Sequence, residues 1–320
     1  MSPTATHIFG PVPSRRLGLS LGIDLVPFKT CTLDCIYCEL GQTATPVTER
    51  AEYVARQDLE EEIAGYFARA GRSADEKAAK LDYITLSGSG EPTLNTALPH
   101  VIALLRQKTQ TPIALLTNGT LFTDPQVRRE AAAADVILPS LDAVSPACFA
   151  RVNRPASGLD IKKIIAGLVA LRQEYRGQIW LEILFCNGLN DTPREISLLQ
   201  EAAAAIKPDK IQLNTVVRPG ALPEARTVSP DFLKEILPAF GPQAEIIAPF
   251  ARDRDPASDP TQTVENILAT LKRRPCTKKD IEEALGLKTV EVIKTIELLL
   301  AQGRIKSLEH GGEHYFQTTK

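Results

Sequence analysis

An α/β fold is predicted, a partial TIM-like (β/α)6 barrel followed by a small winged-helix domain, and three observations carry the prediction. Short runs rich in Val, Ile and Leu recur through the first 220 residues, with amphipathic segments of helical length between them. Polar residues gather just after those runs. From residue 261 the pattern changes to three helical segments and a hairpin. Alternation alone does not separate a barrel from an open doubly wound sheet, but both place function at the carboxyl ends of the strands.

Taken in order, strands are expected near Leu19 to Val26, Leu81 to Ser87, Pro112 to Thr117, Asp135 to Ser140, Gln178 to Phe185 and Lys210 to Val217, all parallel. Helices are expected over Leu59 to Ala70, Pro99 to Lys108, Asp124 to Ala133, Asp160 to Tyr175 and Pro193 to Ile206. Asp124-Pro125 and Thr192-Pro193 read as N-caps with proline at the first helical position. A short segment, Ala244 to Ala248, precedes a polar, proline-bearing stretch without apolar periodicity. The domains are therefore placed at 1–250 and 261–320, with 251–260 as linker. In the second, helices are expected over Thr263 to Lys272, Lys278 to Ala284 and Thr289 to Gln302, then a hairpin over Arg304 to Gln317. Val290, Ile293, Ile296 and Leu300 mark the third helix's buried face, Gly303 its cap and Gly311-Gly312 the hairpin turn.

Of the 320 residues 43% are apolar and 24% charged, and 37 basic against 39 acidic side chains leave a formal charge of -2. That balance argues against a nucleic-acid-coating or polybasic membrane-binding protein. No apolar run reaches the roughly 18 residues of a membrane span, and Met1 to Gly10 lacks the basic and apolar regions of a signal peptide, so a cytoplasmic protein without a membrane partner is expected. In that compartment clustered cysteines read as ligands or catalysts, not disulfides.

Three of the six cysteines are clustered, at Cys31, Cys35 and Cys38, in the loop after the first expected strand. Chance places CxxxCxxC in a chain of this cysteine content about 0.002 times. Thiolates so spaced can converge on the irons of one cubane, whereas structural zinc usually takes four ligands in two separated pairs. A cluster held by three cysteines keeps one iron open for chemistry; structural zinc and inert thiols are the alternatives.

CxxxCxxC with Tyr37 before the third cysteine resembles the signature of the radical S-adenosylmethionine (SAM) superfamily. The resemblance implies one oxygen-sensitive [4Fe-4S] cluster on Cys31, Cys35 and Cys38. Its open iron would bind SAM, and a 5′-deoxyadenosyl radical would abstract hydrogen from a substrate. An electron donor such as flavodoxin or ferredoxin is implied as partner. Ser89-Gly90-Glu91-Pro92 resembles the family's Gly-Gly-Glu-Pro segment, which implies that Gly90 and Glu91 receive the SAM ammonium group, with Ser89 a departure from glycine. Ser140 and Asp142 are implied at the SAM ribose and carboxylate, assisted by Asn118. Glu182 and Asn214 to Val216 are implied at ribose and adenine, Glu182 having a buried ion pair as its alternative. Tyr37 would present its backbone to the adenine. Gly10-Pro11-Val12-Pro13-Ser14-Arg15-Arg16-Leu17-Gly18 and Asp24 to Cys31 are similar to a prokaryotic subgroup classed with wyosine-type tRNA synthetases and related to glycyl-radical activating enzymes.

Cys186, where the fifth strand should open into the mouth, is a candidate hydrogen-atom donor or a small apolar filler. Arg15, Arg16, Arg151, Arg154 and Arg218 suit a carboxylate or phosphate, or equally ion pairs. His7 and His100 suggest no partner. The C-terminal domain, with ten basic and eight acidic side chains from Thr261 to Lys320, has a weak footprint for DNA, and peptide or protein docking or an architectural role are the other readings. The expected function is radical SAM modification of a peptide, protein or tRNA; the rival is an iron–sulfur regulator that binds DNA.

Overall fold

The computed structural model describes residues 7–43, 45–70, 81–247, 260–287 and 289–319. Eight strands form one sheet in strict sequence order: β1 (Ile8–Ser14), β2 (Gly18–Ile23), β3 (Tyr83–Leu86), β4 (Ile113–Thr117), β5 (Val136–Pro139), β6 (Gln178–Phe185), β7 (Lys210–Thr215) and β8 (Ala244–Ile246). β2 to β8 are parallel, so the six expected strands are all present and the short segment at Ala244 adds a seventh. β1, absent from the sequence expectation, pairs antiparallel with β2. Its Pro11 and Pro13 read as strand breakers, but an edge strand tolerates proline, and the register shifts between Phe9 and Val12. β1 and β8 remain the two ends of the sheet, an order that adds each strand on the same side as a barrel does.

Period-two alternation gives the sheet its two faces. Leu21, Ile23, Ile84, Leu86, Ile113, Leu115, Ile137, Ile179, Leu181, Ile183, Ile211 and Leu213 belong to the main core with the helices. The intervening positions face the opposite side. Leu17, Ala114, Val136, Leu138 and Trp180 form a separate apolar plug there. Ser20, Thr85, Leu116, Glu182 and Asn214, from five different strands, line a single cavity, which requires the sheet to curl around it.

Between the strands run α1 (Arg56–Ala70), α2 (Leu98–Lys108), α3 (Pro125–Ala131), α4 (Pro146–Val152), α5 (Ile161–Glu174), α6 (Pro193–Ile206) and α7 (Pro230–Ile236). The caps fall where the sequence places them: Asp124 accepts from Gln126 N at 2.7 Å and Thr192 from Glu195 N at 3.3 Å. α4 and α7 were not expected. His7 and His100, for which the sequence suggests no partner, meet Glu62 and Glu60 of α1. The hydrogen bond that His7 donates to Glu62 raises the His7 pKa, and burial pushes Glu62 up while His7 outweighs it and holds Glu62 below its usual range. The pair therefore stabilises the fold most between the ordinary carboxylate value of 4.5 and the ordinary imidazole value of 6.5. Its contribution fades as pH rises through the raised His7 pKa or falls through the lowered Glu62 pKa. The melting-temperature gap between wild type and His7→Ala is expected to be widest at mildly acidic pH.

The expected linker at 251–260 lies outside the described residues except for its last position. Beyond it come α8 (Pro260–Arg273), α9 (Lys278–Leu285), α10 (Thr289–Ala301) and the antiparallel hairpin of β9 (Ile305–His310) and β10 (Glu313–Thr318). The buried face of α10 is Val292, Ile296 and Leu299: Ile296 is buried as expected, whereas Ile293 is half-buried, Leu300 is 37% exposed, and the Val290 side chain lies outside the described residues. This unit packs on the mouth of the sheet. Tyr315 donates to Val217 O at 2.8 Å, Arg218 bridges Asp280 of α9 and Glu39, and Arg273 lies over the Phe9 ring at 4.1 Å. Among the described residues no helix is long and apolar enough to cross a membrane.

Candidate iron–sulfur and SAM site

The loop after β2 holds the site because both of its flanks are stitched down. Asp34 N and Ile36 N donate to Asn153 O and Val152 O at the end of α4, at 3.1 and 3.0 Å. Glu91 N donates to Thr30 O at 2.9 Å, and Lys29 N to Ser89 O at 2.6 Å. Ser89 also donates to Asp24 through both its backbone and its hydroxyl, so the substituted serine gains a role of its own in fixing the turn. Gly90 passes so close to this loop that a Cβ would collide with the Thr30 carbonyl. Gly90→Ala is accordingly expected to push the cysteine loop outward, lowering iron content after reconstitution by at least half; unchanged iron and SAM affinity would refute this.

Cys31, Cys35 and Cys38 are half-buried and all border the cavity of about 430 Å³ inside the curled sheet. Each sulfur faces one N–H donor: Asn118 Nδ2 to Cys31 at 3.5 Å, Asn153 Nδ2 to Cys35 at 3.4 Å and Lys29 Nζ to Cys38 at 3.6 Å. Such donors suit thiolates. Burial pushes the Cys31 thiol up to about 12 and Cys35 well above its usual value, so both hold their protons until a metal displaces them. Among the described residues no three His, Cys, Asp or Glu side chains close on a single metal ion. A four-iron cluster asks less convergence, because each thiolate takes a separate iron. The donor set fits that group.

Tyr37, Gly90, Glu182 and Asn214 border the same cavity. Glu182 pairs with Arg16 and accepts from Asn214 Nδ2 at 2.9 Å; Asn214 Oδ1 accepts from Arg15 at 3.3 Å. The ion-pair alternative for Glu182 thus holds alongside its place on the cavity wall.

Six of the expected site residues do not line this cavity. Glu91 is 2% exposed, and its carboxylate accepts from Thr93 N, Thr93 Oγ1, Thr117 Oγ1 and Asn118 N, which joins the ends of β3 and β4. Asn118, Ser140 and Asp142 border a separate cavity of about 50 Å³, with Leu33 and Tyr37 beside them. Asn118 spends its amide on Cys31 and on Thr32 Oγ1 at 2.8 Å, and its carbonyl on Thr120. Ser140 bridges to Glu182 through its backbone. Asp142 accepts from Tyr37 OH, from Asn153 Nδ2 at 3.0 Å and from Leu184 N at 2.9 Å; burial raises its pKa to about 6. Val216 and Cys186 pack with Ile36 and Ala225 in a satellite apolar cluster, and neither lines the cavity. Cys186 is fully buried in that cluster. For Tyr37 the side chain matters too, since its phenol ties the cysteine loop to Asp142.

Asn153 and Lys29, which hold two of the sulfurs, were missed. The Arg154 neighbour at φ 46 and Lys29 at φ 68 show why: long-range loop geometry places them, and no motif marks it. Thr270 and Arg273 of α8 and Arg274 just beyond it also line the cavity, which no reading of the domains as independent units could find.

A curled parallel sheet with three thiols on the wall of an arginine-bearing cavity at its strand ends defines an iron–sulfur α/β enzyme of partial-barrel type. The family model described as "Radical SAM superfamily" matches residues 25–199, more than half of the chain, and the chain belongs to that superfamily, whose cofactors are a [4Fe-4S] cluster and SAM. The chain is similar to UPF0026 protein MJ1312 of Methanocaldococcus jannaschii, 30% identical over 319 residues, 97% of this chain and 95% of that one. It is also similar to a Brachyspira hyodysenteriae protein named GTPase Obg, 32% identical over 302 residues, 94% of this chain; the chain spans only 43% of that relative's length. Among solved structures, TYW1 with a lysine-pyruvate adduct bound has a TM-score of 0.53 at 18% identity, covering 74% of this chain and 76% of that one, a likeness of fold.

Proposed function

We propose that the chain binds one [4Fe-4S] cluster through Cys31, Cys35 and Cys38, with SAM in the cavity against Gly90, Glu182 and Asn214, and modifies a peptide, protein or tRNA. The observation that carries this reading is the convergence of the three sulfurs, each with its N–H donor, on one cavity. When bound and reduced, the cluster supplies the electron that cleaves SAM to methionine and a 5′-deoxyadenosyl radical. The protein binds, orients and encloses. Gly90 gives the Ser89–Glu91 backbone its close approach to the cysteine loop, and the Arg16–Glu182–Asn214 network offers a carboxylate and an amide to a ribose or base. The 260–319 unit is read as the winged helix; α8 closes the cavity from above, which limits water. The regulator alternative has no observation of its own.

Binding of SAM at the cluster is tested by electron paramagnetic resonance of the anaerobically reconstituted, dithionite-reduced protein. A change in the g values on adding SAM is expected, and an unchanged spectrum would count against the reading. Donors to sulfur also set the potential. Asn118→Ala and Asn153→Ala each remove one, so each is expected to make the cluster harder to reduce by tens of millivolts, on the order of what outer hydrogen bonds contribute. A redox titration followed by the same signal checks it.

A further inference from the structure

A second cavity, of about 780 Å³, lies between the sheet's mouth and the C-terminal unit, and Arg15 and Arg218 line both it and the cluster cavity. The two guanidiniums therefore stand at the junction through which a substrate in the outer cavity would meet SAM in the inner one. Their surroundings differ. Arg218 is 8% exposed and bridges Glu39 at 3.4 Å and Asp280 at 3.2 Å, while its Nε is buried without a partner. Arg15 enters no ion pair among the described residues and has one hydrogen bond, to Asn214 Oδ1. Arg15 is half-buried, with Glu39 and Glu182 near enough to act on its charge but not within ion-pair distance, and a bound anion would supply the direct partner.

The balance of charge points the same way. The cluster cavity is lined by Arg15, Arg16, Lys29, Arg218 and Arg274, beside Arg273 on which Asp24 and Glu62 act, against Glu39 and Glu182, and the last two carboxylates are already engaged, by Arg218 and Arg16. The oxidised cluster on three thiolates carries one net negative charge and SAM one net positive, so the cofactors leave the excess uncancelled. On the outer side, Lys278 and Lys279 open α9 at the cavity wall, against Asp280, which Arg218 engages, and Glu313; Lys279 also lies 3.9 Å from Glu283, and with the two arginines the lining stays net positive. Arg15 agrees with this picture: burial first, then the neighbouring Arg218, lowers its pKa.

We propose that the outer cavity is the substrate site and that it takes a ligand bearing an oxyanion, a carboxylate or a phosphate ester, received by Arg15 and Arg218 with Lys278 and Lys279 at the entrance. The proposal rests on the radical SAM reading above and names the substrate chemistry it leaves open. A guanidinium pair offers planar donors to either anion, and the position of the pair at the junction would aim the anchored molecule at the inner cavity.

The test is isothermal titration of the reconstituted, SAM-loaded protein with inorganic phosphate and, separately, glutarate, against chloride at matched ionic strength. One saturable site for phosphate or glutarate is expected, and the tighter anion identifies the group as phosphate ester or carboxylate. Arg15→Gln and the double variant Lys278→Gln/Lys279→Gln are each expected to weaken that site at least tenfold. Iron content and SAM affinity, measured on the same samples, report separately on the underlying reading. Three results would overturn the proposal: no saturation beyond chloride, unchanged anion affinity in both variants, or competition between the anion and SAM, which would make Arg15 a SAM contact.

Discussion

Cys35→Ala is expected to abolish the four-iron cluster and to reduce 5′-deoxyadenosine formation by on the order of 10³-fold or more, to the level without enzyme, because the cofactor carries the chemistry. The fold should survive. The loop is held by backbone bonds from Asp34 N and Ile36 N to the end of α4, and by Glu91 N to Thr30 O, none of which uses the Cys35 sulfur. Removing the thiol leaves Asn153 Nδ2 with Tyr37 and Asp142 as alternative acceptors, so no buried donor is orphaned. Circular dichroism and melting temperature of the apo-protein should therefore match wild type while iron content collapses. Cys186→Ala is the contrast. Its thiol sits in an apolar cluster away from the cavity, so about 1 kcal/mol of packing is lost and full iron content retained. Equal iron loss in the two variants would show that the ligands are misassigned.

The largest effect on stability is expected at Arg218→Ala, about 3–5 kcal/mol, the usual consequence of breaking a buried ion network. This side chain joins three parts of the molecule. It leaves the chain just after β7, meets Glu39 beyond the last cysteine and reaches Asp280 in the first turn of α9. Burial alone would lower its pKa, yet the two carboxylates hold it above the usual guanidinium value. Reciprocally, Asp280 sits below its ordinary value: burial pushes it up, while Arg218 and the Thr277 cap outweigh that. The sign follows. A carboxylate with a depressed folded pKa stabilises at and above its unfolded value of 3.8, and that stabilisation is lost as pH falls through the lower folded value. Wild type should thus exceed Arg218→Ala in melting temperature by roughly 10 °C near neutrality, taking 2–4 °C per kcal/mol for a chain of this size. The gap should narrow in acid. Limited proteolysis should release the 260–319 unit sooner from the variant; equal melting and cleavage would show that the C-terminal unit is held by other contacts.

What the sequence made legible was whatever depends on local chemistry. β6 and α6 have the predicted bounds, Gln178–Phe185 and Pro193–Ile206, because one is a long apolar run and the other opens on a Thr-Pro cap. α4 and α7 carry the same signal, Ser145-Pro146 and Ser229-Pro230. At seven residues each, they are too short to show a helical period, so the cap was the signal to follow. β1 was hidden by its two prolines, which only an edge position permits. In the site, the cysteines were legible because their spacing is local, whereas Glu182 and Asn214 were named by resemblance, and the structure has both on the cavity wall. Glu91 and Asp142 were assigned to SAM by resemblance; in the structure their carboxylates accept from backbone and hydroxyl donors at the strand ends, contacts between distant segments that no local spacing announces. Asn153 and Arg273 reach the site from distant segments, so no spacing in the chain announces them.

The central claim is reductive cleavage of SAM at a three-cysteine cluster. It is met most directly by anaerobic reconstitution with iron and sulfide, addition of SAM and dithionite, and quantification of 5′-deoxyadenosine in wild type beside Cys35→Ala. Product from wild type alone, with methionine in equal amount, is the predicted result. Wild type carrying four irons and binding SAM, yet forming no more 5′-deoxyadenosine than the variant, would contradict it.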